Sequence, residues 1–313
     1  MGKRIRIGTR DSQLALWQAN GVKGLLENQG YETELVYIKS EGDIDLVTPL
    51  YELGVQGVFT RALDAALLSD KIDIAVHSMK DVPTQLAKGI AQAAVLRRAS
   101  YKDLLVYKND WTDVAEGLDV NAESKIPFTV ATSSIRRRAQ WLHRYPYHSI
   151  DNLRGNVNTR LQKLADSNWQ GAIFAAAGLE RINLRPGNSI ELDWMLPAPA
   201  QGAIMVVARE HDGECLQACE AFNDADTALC AKLERDFLRT LLGGCSTPIS
   251  ALAVVEDESV IFRGNIVMPD GSKKVEVSKT VQIEDASDLG TIAAHELLQS
   301  GGNEIVDKIR NAG

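Results

Sequence analysis

The stretch VFTRALDAALLSDKIDIAVHSMKDVP, from Val58 to Pro83, decides the fold because a helix pattern runs directly into a strand pattern. Residues 58–70 carry apolar side chains at helical spacing, whereas DIAVHS (73–78) is a short apolar run that predicts a buried strand. A helix followed by a buried strand is typical of βαβ units, in which helices cover a mostly parallel sheet. We therefore expect an α/β fold.

The same alternation of strand and helix patterns extends along the chain in both directions. Before this stretch we predict a strand over 4–9, a helix over 12–27 and a strand over 34–40. After Lys102 we predict strands over 104–109, 127–132 and 171–177, and helices over 133–144, with a serine N-cap, and 157–168. The sequence thus predicts two similar halves on mostly parallel sheets, and a mobile loop over 41–57.

A change of pattern after residue 222 predicts a third, smaller α+β module. Residues 225–242 form one amphipathic helix pattern, and residues 287–310 hold helical segments that are interrupted at SGGN. Between them, alternating segments predict three antiparallel strands over 249–256, 259–267 and 273–281.

Composition limits the class of protein. The chain has 313 residues, 45% of them hydrophobic, with no apolar run long enough to span a membrane and no signal-peptide core, so we expect a cytoplasmic protein without membrane contact. A net charge of −8 argues against nucleic-acid binding. We expect reduced cysteines, with Cys215 and Cys219 as buried apolar residues; a metal site that joins them to His211 has no paired C-x-x-C support, and we predict no metal.

Polar and basic residues follow the predicted strands. VHSMKDVP places Ser78, Lys80 and Asp81 at the end of a buried strand, where α/β sheets bind ligands. Other strand-to-helix junctions supply Thr132, Ser134, Arg136, Arg137, Arg154, Arg160, Gly178 and Arg181, with Arg10 and Ser12 in the other half. Each junction alone fits a capped helix with a solvated basic face, but their repetition favours a ligand with several carboxylates, since no phosphate-binding glycine motif is present.

The segment LLGGCSTPIS (241–250) places Cys245 directly after two glycines, which remove side-chain bulk from the approach to its sulfur. No histidine lies near it in the sequence. A catalytic thiolate would need a partner from elsewhere in the chain, and nothing in the sequence near Cys245 supports one.

Seven motifs together resemble the porphobilinogen deaminase, or hydroxymethylbilane synthase, family in content and order. They span Gly8 to Ile249 and are GTRDSQLALWQA, VHSMKDVP, TSSIRRRAQ, LRGNVNTRL, AGLERI, PAPAQGAI and LLGGCSTPI. The resemblance implies an enzyme that condenses four porphobilinogens head to tail, with loss of ammonia, and then releases the linear tetrapyrrole by hydrolysis. It also implies a dipyrromethane cofactor, linked to Cys245 through a thioether, whose four carboxylates would explain the many arginines.

The resemblance further implies a role for individual residues. Asp81 matches the catalytic aspartate, which would stabilise cationic pyrrole nitrogens. The residues that match cofactor- or substrate-binding positions are Arg10, Ser12, Gln18, Ser78, Lys80, Thr132, Ser134, Arg136, Arg137, Arg154, Arg160, Gly178, Arg181 and Gln201. One departure concerns the predicted loop and the helix after it, where Gln56 and Arg61 stand in place of expected lysines.

The implied fold consists of two periplasmic-binding-protein-like βαβ domains around a cleft, plus a smaller C-terminal α+β domain. We expect domain 1 to comprise residues 1–99 with 200–218, domain 2 residues 100–199 and domain 3 residues 219–313, with crossings near LRRASYK (96–102) and MLPAPAQ (195–201). We also expect a monomer. The alternatives are a non-catalytic, two-lobed polycarboxylate-binding protein and a thiol hydrolase that uses Cys245.

Overall fold

The computed structural model describes residues 4–39, 60–108, 110–120, 126–241 and 247–311. The strands are β1 Ile5–Thr9, β2 Thr33–Tyr37, β3 Ile74–Ser78, β4 Ile90–Leu96, β5 Asp103–Tyr107, β6 Thr129–Ala131, β7 Ser149–Asp151, β8 Gly171–Ala175, β9 Ser189–Glu191, β10 Ile204–Arg209, β11 Ile249–Glu256, β12 Ser259–Val267 and β13 Lys274–Gln282. The α-helices are α1 Gln13–Glu27, α2 Arg61–Leu68, α3 Trp111–Gly117, α4 Ile135–Arg144, α5 Val157–Asp166, α6 Ala176–Glu180, α7 Gly213–Glu220, α8 Ala225–Leu241, α9 Leu289–Leu297 and α10 Asn303–Asn311. The predicted loop 41–57 lies outside the described residues.

Two five-stranded sheets have the same plan, with strand orders β2-β1-β3-β10-β4 and β7-β6-β8-β5-β9. In each sheet the first three strands run parallel and the fourth is antiparallel to both of its neighbours. The expectation of two similar halves is confirmed. Four of the five strands in each sheet point the same way, in agreement with the expectation of mostly parallel sheets, and only the fourth strand, which adjoins a crossing between the halves, runs in the opposite direction.

The third sheet, β11-β12-β13, is an antiparallel meander covered by α8 and α9, as predicted. Its core is built around Leu233 and Phe237 of α8 and Phe262 of β12. The predicted interruption at SGGN is seen as a kink at Gly301, whose φ is 100°. The predicted fold class, two α/β units and a smaller α+β unit, is confirmed.

The chain passes from the first sheet to the second between β4 and β5, and it returns between β9 and β10. The two crossing segments touch at Gly202, where φ is 89° and a Cβ atom would lie 2.7 Å from the carbonyl oxygen of Ala99 and 2.8 Å from that of Ser100. Only glycine fits this close backbone approach. Among the described helices, none is long and apolar enough to cross a membrane.

Candidate active site

The carboxyl end of β3 carries the first predicted site residues. Lys80 and Asp81 lie on a single 3₁₀ turn, Met79–Asp81, that follows the buried strand directly. Ser78 pairs with Gln18 of α1, whose Nε2 donates to the Ser78 hydroxyl at 2.9 Å. The Asp81 carboxylate accepts no hydrogen bond from the described part of the chain. Its oxygens can therefore accept hydrogen bonds from a ligand.

Lys80 and Gln201 connect this turn with the second sheet. The Lys80 ammonium donates to Gln201 Oε1 at 3.2 Å, and Gln201 Nε2 donates to Asp103 Oδ1 at 2.9 Å. Desolvation lowers the pKa of Lys80 to about 8; the charge of Asp81 opposes this shift and that of Arg137 adds to it. The turn at the end of β3 is thus joined by polar contacts to the first residue of β5.

Asp103 binds two of the predicted arginines, and no pattern in the sequence indicated this role. Its carboxylate is fully buried and accepts hydrogen bonds from Arg136 Nη2 at 2.7 Å and from Arg137 Nη2 at 2.8 Å. Burial favours the neutral acid, but the two guanidinium charges hold the pKa of Asp103 well below its usual value. Arg136 and Arg137 therefore commit part of their hydrogen-bonding capacity to the protein itself.

Thr132 and Ser134 lie at the start of α4, as predicted. Ser134 is the N-cap residue, and its hydroxyl accepts from the backbone N–H of Arg137 at 3.5 Å. The Thr132 hydroxyl in turn accepts from the backbone N–H of Ser134 at 3.2 Å. Likewise, Ser12 caps α1 through a contact of 3.4 Å from the N–H of Ala15. These hydroxyls shape helix N-termini, where backbone N–H groups favour an anion.

Arg154 and Arg160 complete a cluster of positive charge. Arg154 is 3% exposed, and desolvation lowers the pKa of Arg160 to about 10, together with the charges of Arg137 and Arg154. Asp81 is the carboxylate that opposes this shift. The Nε atoms of Arg136 and Arg160 are buried and have no hydrogen-bond partner within the part of the chain that the structure describes. Desolvated cations with spare donors are a suitable environment for an anionic ligand.

Arg181 spans the two halves. Its Nη2 donates to the carbonyl of Gly202 at 2.7 Å, its guanidinium lies 5.6 Å from the centre of the Trp17 ring, and burial lowers its pKa to about 10. Gly178 lies three residues before Arg181. A Cβ atom on Gly178 would lie 3.8 Å from the Leu14 side chain, which is an ordinary van der Waals contact, so packing does not require glycine at this position.

Arg10 lies beside a buried histidine that sequence reasoning did not select. Burial and the charge of Arg10 lower the pKa of His77 to about 4, so His77 is neutral at pH 7. The position of His77 in β3, directly before Ser78, is the feature of the sequence that could have indicated it.

The third unit reaches the site at the start of β11. Lys80, Arg136, Leu238 and Thr247 line a small cavity of about 40 Å³ where the three units meet. Cys245, the predicted attachment point, and Gln56 lie outside the described residues. The other cysteines, Cys215, Cys219 and Cys230, are buried, as expected of the first two.

These buried cations around one carboxylate fit what the family comparison finds. Residues 5–217 match the model described as "Porphobilinogen deaminase, dipyromethane cofactor binding domain", and residues 228–299 match "Porphobilinogen deaminase, C-terminal domain". The chain belongs to the porphobilinogen deaminase family. Members of this family are transferases that carry a dipyrromethane cofactor, and this chain is one of them.

Individual relatives are similar over nearly their whole length. The chain is 37% identical to the porphobilinogen deaminase of Trichlorobacter lovleyi over 98% of this chain and 97% of that protein. It is 38% identical to that of Geobacter sulfurreducens, over 98% and 95%, and 37% identical to that of Acidithiobacillus ferrooxidans, over 100% of both. Among solved structures, it is similar to an ancestral cationic amino acid solute-binding protein at 14% identity, with a TM-score of 0.43 over 70% of this chain and 87% of that one.

Proposed function

We propose that this chain condenses four porphobilinogens into linear hydroxymethylbilane, with Asp81 as the catalytic residue and Cys245 as the cofactor attachment point. The observation that carries the proposal is that the charges of Arg137, Arg154 and Asp81 all act on the buried guanidinium of Arg160, so three cations and one carboxylate lie in the same part of the site. In each condensation the C–N bond of the substrate's aminomethyl group breaks, ammonia leaves, and a C–C bond forms to a pyrrole carbon that loses its proton.

The residues present fit the cofactor that the family carries. A bound dipyrromethane supplies four carboxylates and the terminal pyrrole ring to which substrate rings are added. The partnerless Nε atoms of Arg136 and Arg160 support a role for these side chains in binding such carboxylates. The hydroxyl oxygens of Ser12, Thr132 and Ser134 accept from backbone N–H groups, and their O–H groups can donate to the same carboxylates.

Asp81 stabilises positive charge on pyrrole nitrogens of the substrate. Because no donor among the described residues occupies it, the Asp81 carboxylate can accept hydrogen bonds from pyrrole N–H groups and lower the energy of the cationic form. Lys80, with a pKa of about 8, lies next to it and keeps a positive charge near substrate carboxylates at neutral pH. Both residues sit on one short turn, so binding and charge stabilisation are adjacent.

The division into domains 1–99 with 200–218, 100–199 and 219–313 is part of the proposal. The membership of the three sheets supports it, since β10 joins the first sheet and the β5–β9 strands form the second. We also propose that the protein is a cytoplasmic monomer that acts on a small molecule. We propose further that it does not bind nucleic acid, and the net charge of −8 supports this last point.

The attachment of the cofactor is tested by intact mass. Active protein should exceed the mass of the 313-residue chain by two linked pyrrole units, and brief exposure to porphobilinogen should add further mass in one-ring steps. Cys245→Ser should lack the added mass and release no ammonia. Active protein with the mass of the bare chain would contradict the proposal.

The other three cysteines provide matched controls. Burial raises the pKa of Cys219 and of Cys230 to about 12, so neither is a thiolate at neutral pH, and Cys215 is fully buried. Their serine variants should keep the added mass. An adduct that maps to any of them would exclude Cys245 as the attachment point.

The role of Asp81 is tested by Asp81→Asn and Asp81→Ala. Both variants should fold and retain the cofactor mass, while kcat falls by about 10²–10⁴, the usual contribution of such a group. Asp113→Asn, on the exposed side of α3, should behave as the wild type. Normal ammonia release by both Asp81 variants would remove this residue from the mechanism.

A further inference from the structure

Helix α8 of the third unit contacts the turn that carries Lys80 and Asp81. Arg235 of this helix is 9% exposed, and its guanidinium donates to the backbone carbonyls of the two residues that directly follow the turn. Nη1 donates to Val82 O at 2.9 Å and lies 3.5 Å from Met79 O, and Nη2 donates to Pro83 O at 2.6 Å. One side chain thus binds the two residues that follow the turn and lies near the carbonyl of its first residue, Met79.

The turn has few hydrogen bonds of its own. It consists of three residues, Ser78 gives it no side-chain cap, and its internal backbone bond runs from Val82 N to Met79 O at 3.1 Å. A single 3₁₀ turn has weak hydrogen-bond geometry, so donors from outside determine its orientation. A planar guanidinium suits this task because it can donate in two directions at fixed angles.

The neighbouring residue fixes the helix that supplies Arg235. Glu234 is fully buried and accepts from Arg98 Nη1 at 2.6 Å and from the backbone N–H of Ala200 at 2.6 Å, one group from each crossing segment. Two consecutive residues of α8 therefore hold the crossings and the turn. In the sequence, α8 ends at Leu241, four residues before Cys245.

We propose that Arg235 is a positioning residue for Asp81. It fixes the Met79–Asp81 turn against the same helix that leads to the cofactor-bearing segment, so that the Asp81 carboxylate keeps its place while rings are added. Arg235 does not touch the substrate and acts through the backbone of the turn. The inference rests on the catalytic role proposed for Asp81.

The test compares Arg235→Gln and Arg235→Lys with wild type, all carrying the cofactor. Misplacement of Asp81 should lower kcat by about 10–100-fold, whereas KM should rise by a smaller factor, because Lys80 shares the turn but the carboxylate-binding arginines stay in place. The kcat of the lysine variant should be intermediate, since an ammonium cannot reproduce the paired contacts of the guanidinium with Val82 O and Pro83 O. If the glutamine variant fails to fold, the lysine variant alone gives the same ratio of kcat to KM effects.

Arg209→Gln is the matched structural control. Arg209 is 8% exposed and also donates to two backbone carbonyls, Leu67 O at 3.0 Å and Ile72 O at 2.6 Å. It lies at the far end of the first sheet from Ser78, because β10 runs antiparallel to β3. Its variant should lose stability at least as much as Arg235→Gln while kcat per folded molecule stays normal.

A double variant separates this inference from the proposed function. If Arg235 acts through Asp81, Arg235→Gln should lower kcat little further in an Asp81→Asn background. Equal kcat losses in both backgrounds, or normal kcat in Arg235→Gln, would overturn the positioning role while leaving an inactive Asp81→Asn as support for the catalytic one. An active Asp81→Asn would instead overturn the role of Asp81 itself.

Discussion

Several arginines of this chain fall into two groups. Some are paired with a buried carboxylate far from the site, and others bring positive charge to the site. At the far end of the first sheet, Arg6 and Arg209 both pair with the fully buried Asp73. Around the site, by contrast, Asp103 pairs with Arg136 and Arg137. Arg154 and Arg160 add positive charge there, and Asp81 is the carboxylate that opposes it at Arg160.

The sequence predicted the arginines near the site but not Asp103. A single aspartate at the start of a strand looks like an ordinary surface residue, and it becomes the centre of the network only because β5 lies beside β8 and under α4. The same limit applies to Gln201, whose match to the family suggested a cleft residue but not its contacts with Lys80 and Asp103. Such pairings depend on sheet order, which local pattern does not determine.

At the scale of one residue, the lowered pKa of Lys80 makes a testable prediction. In Cys245→Ser, which we expect to lack the cofactor, the pH dependence of Lys80 acylation should have its midpoint near 8. Nearby carboxylates stabilise the ammonium, so in protein that carries the cofactor the midpoint should move up toward the ordinary value of 10.5. Acylation at a series of pH values, with peptide mass spectrometry, measures both.

The exposed Lys88 serves as the internal reference in the same digest. Its midpoint should be the same with and without the cofactor. A Lys80 midpoint that does not change between the two proteins would show that Lys80 does not face the cofactor carboxylates.

At the scale of elements, strongly periodic segments were predicted well, whereas β4 and several short elements were not. Helices α1, α4, α5 and α8 and the meander β11–β13 agree with the sequence pattern, including Ser134 as the N-cap of α4. The three-residue strands β7 and β9 and the helix α3 were missed, because such short elements owe their conformation to neighbours rather than to periodicity. The sequence pattern did not indicate that β5 and β10 run against the other strands of their sheets, because the crossings set the direction of these two strands.

Ser134 allows capping and ligand binding to be separated on one helix. Ser134→Ala should lower the free energy of unfolding by about 1 kcal/mol through loss of the cap. Ser134→Asp should keep the cap, since aspartate is an equally good N-cap, but its charge should repel ligand carboxylates and raise KM by about tenfold. Urea unfolding and steady-state kinetics on both variants give the two quantities.

The contrast between the two substitutions identifies the function of this hydroxyl. If Ser134 serves only as a cap, the aspartate variant should match the wild type in both stability and KM. That result would remove Ser134 from the residues proposed to face the carboxylates.

At the scale of the whole molecule, Glu234 joins parts of the chain that are far apart in sequence. Its carboxylate accepts from Arg98 of the first crossing, from Ala200 N of the second, and from Ala253 N of β11 at 2.7 Å. No local pattern predicted this, since a glutamate in an amphipathic helix is normally solvated. One buried charge thus couples all three sheets, and we expect the wild type to unfold in a single transition.

Glu234→Gln should break that coupling. It leaves the largely buried Arg98 without its counter-charge, so we expect the free energy of unfolding to fall by about 3–5 kcal/mol.

Two spectroscopic probes distinguish the third unit from the other two. All five tryptophans lie at or before Trp194, whereas circular dichroism also reports the helices of the third unit. In the wild type, urea unfolding followed by tryptophan fluorescence and by circular dichroism should coincide, and in Glu234→Gln the two curves should separate because the third unit unfolds independently. Glu304→Gln, which removes an exposed ion pair with Lys273, should change stability little and leave the curves together. Coincident curves in Glu234→Gln would show that apolar contacts, rather than this carboxylate, hold the third unit to the other two.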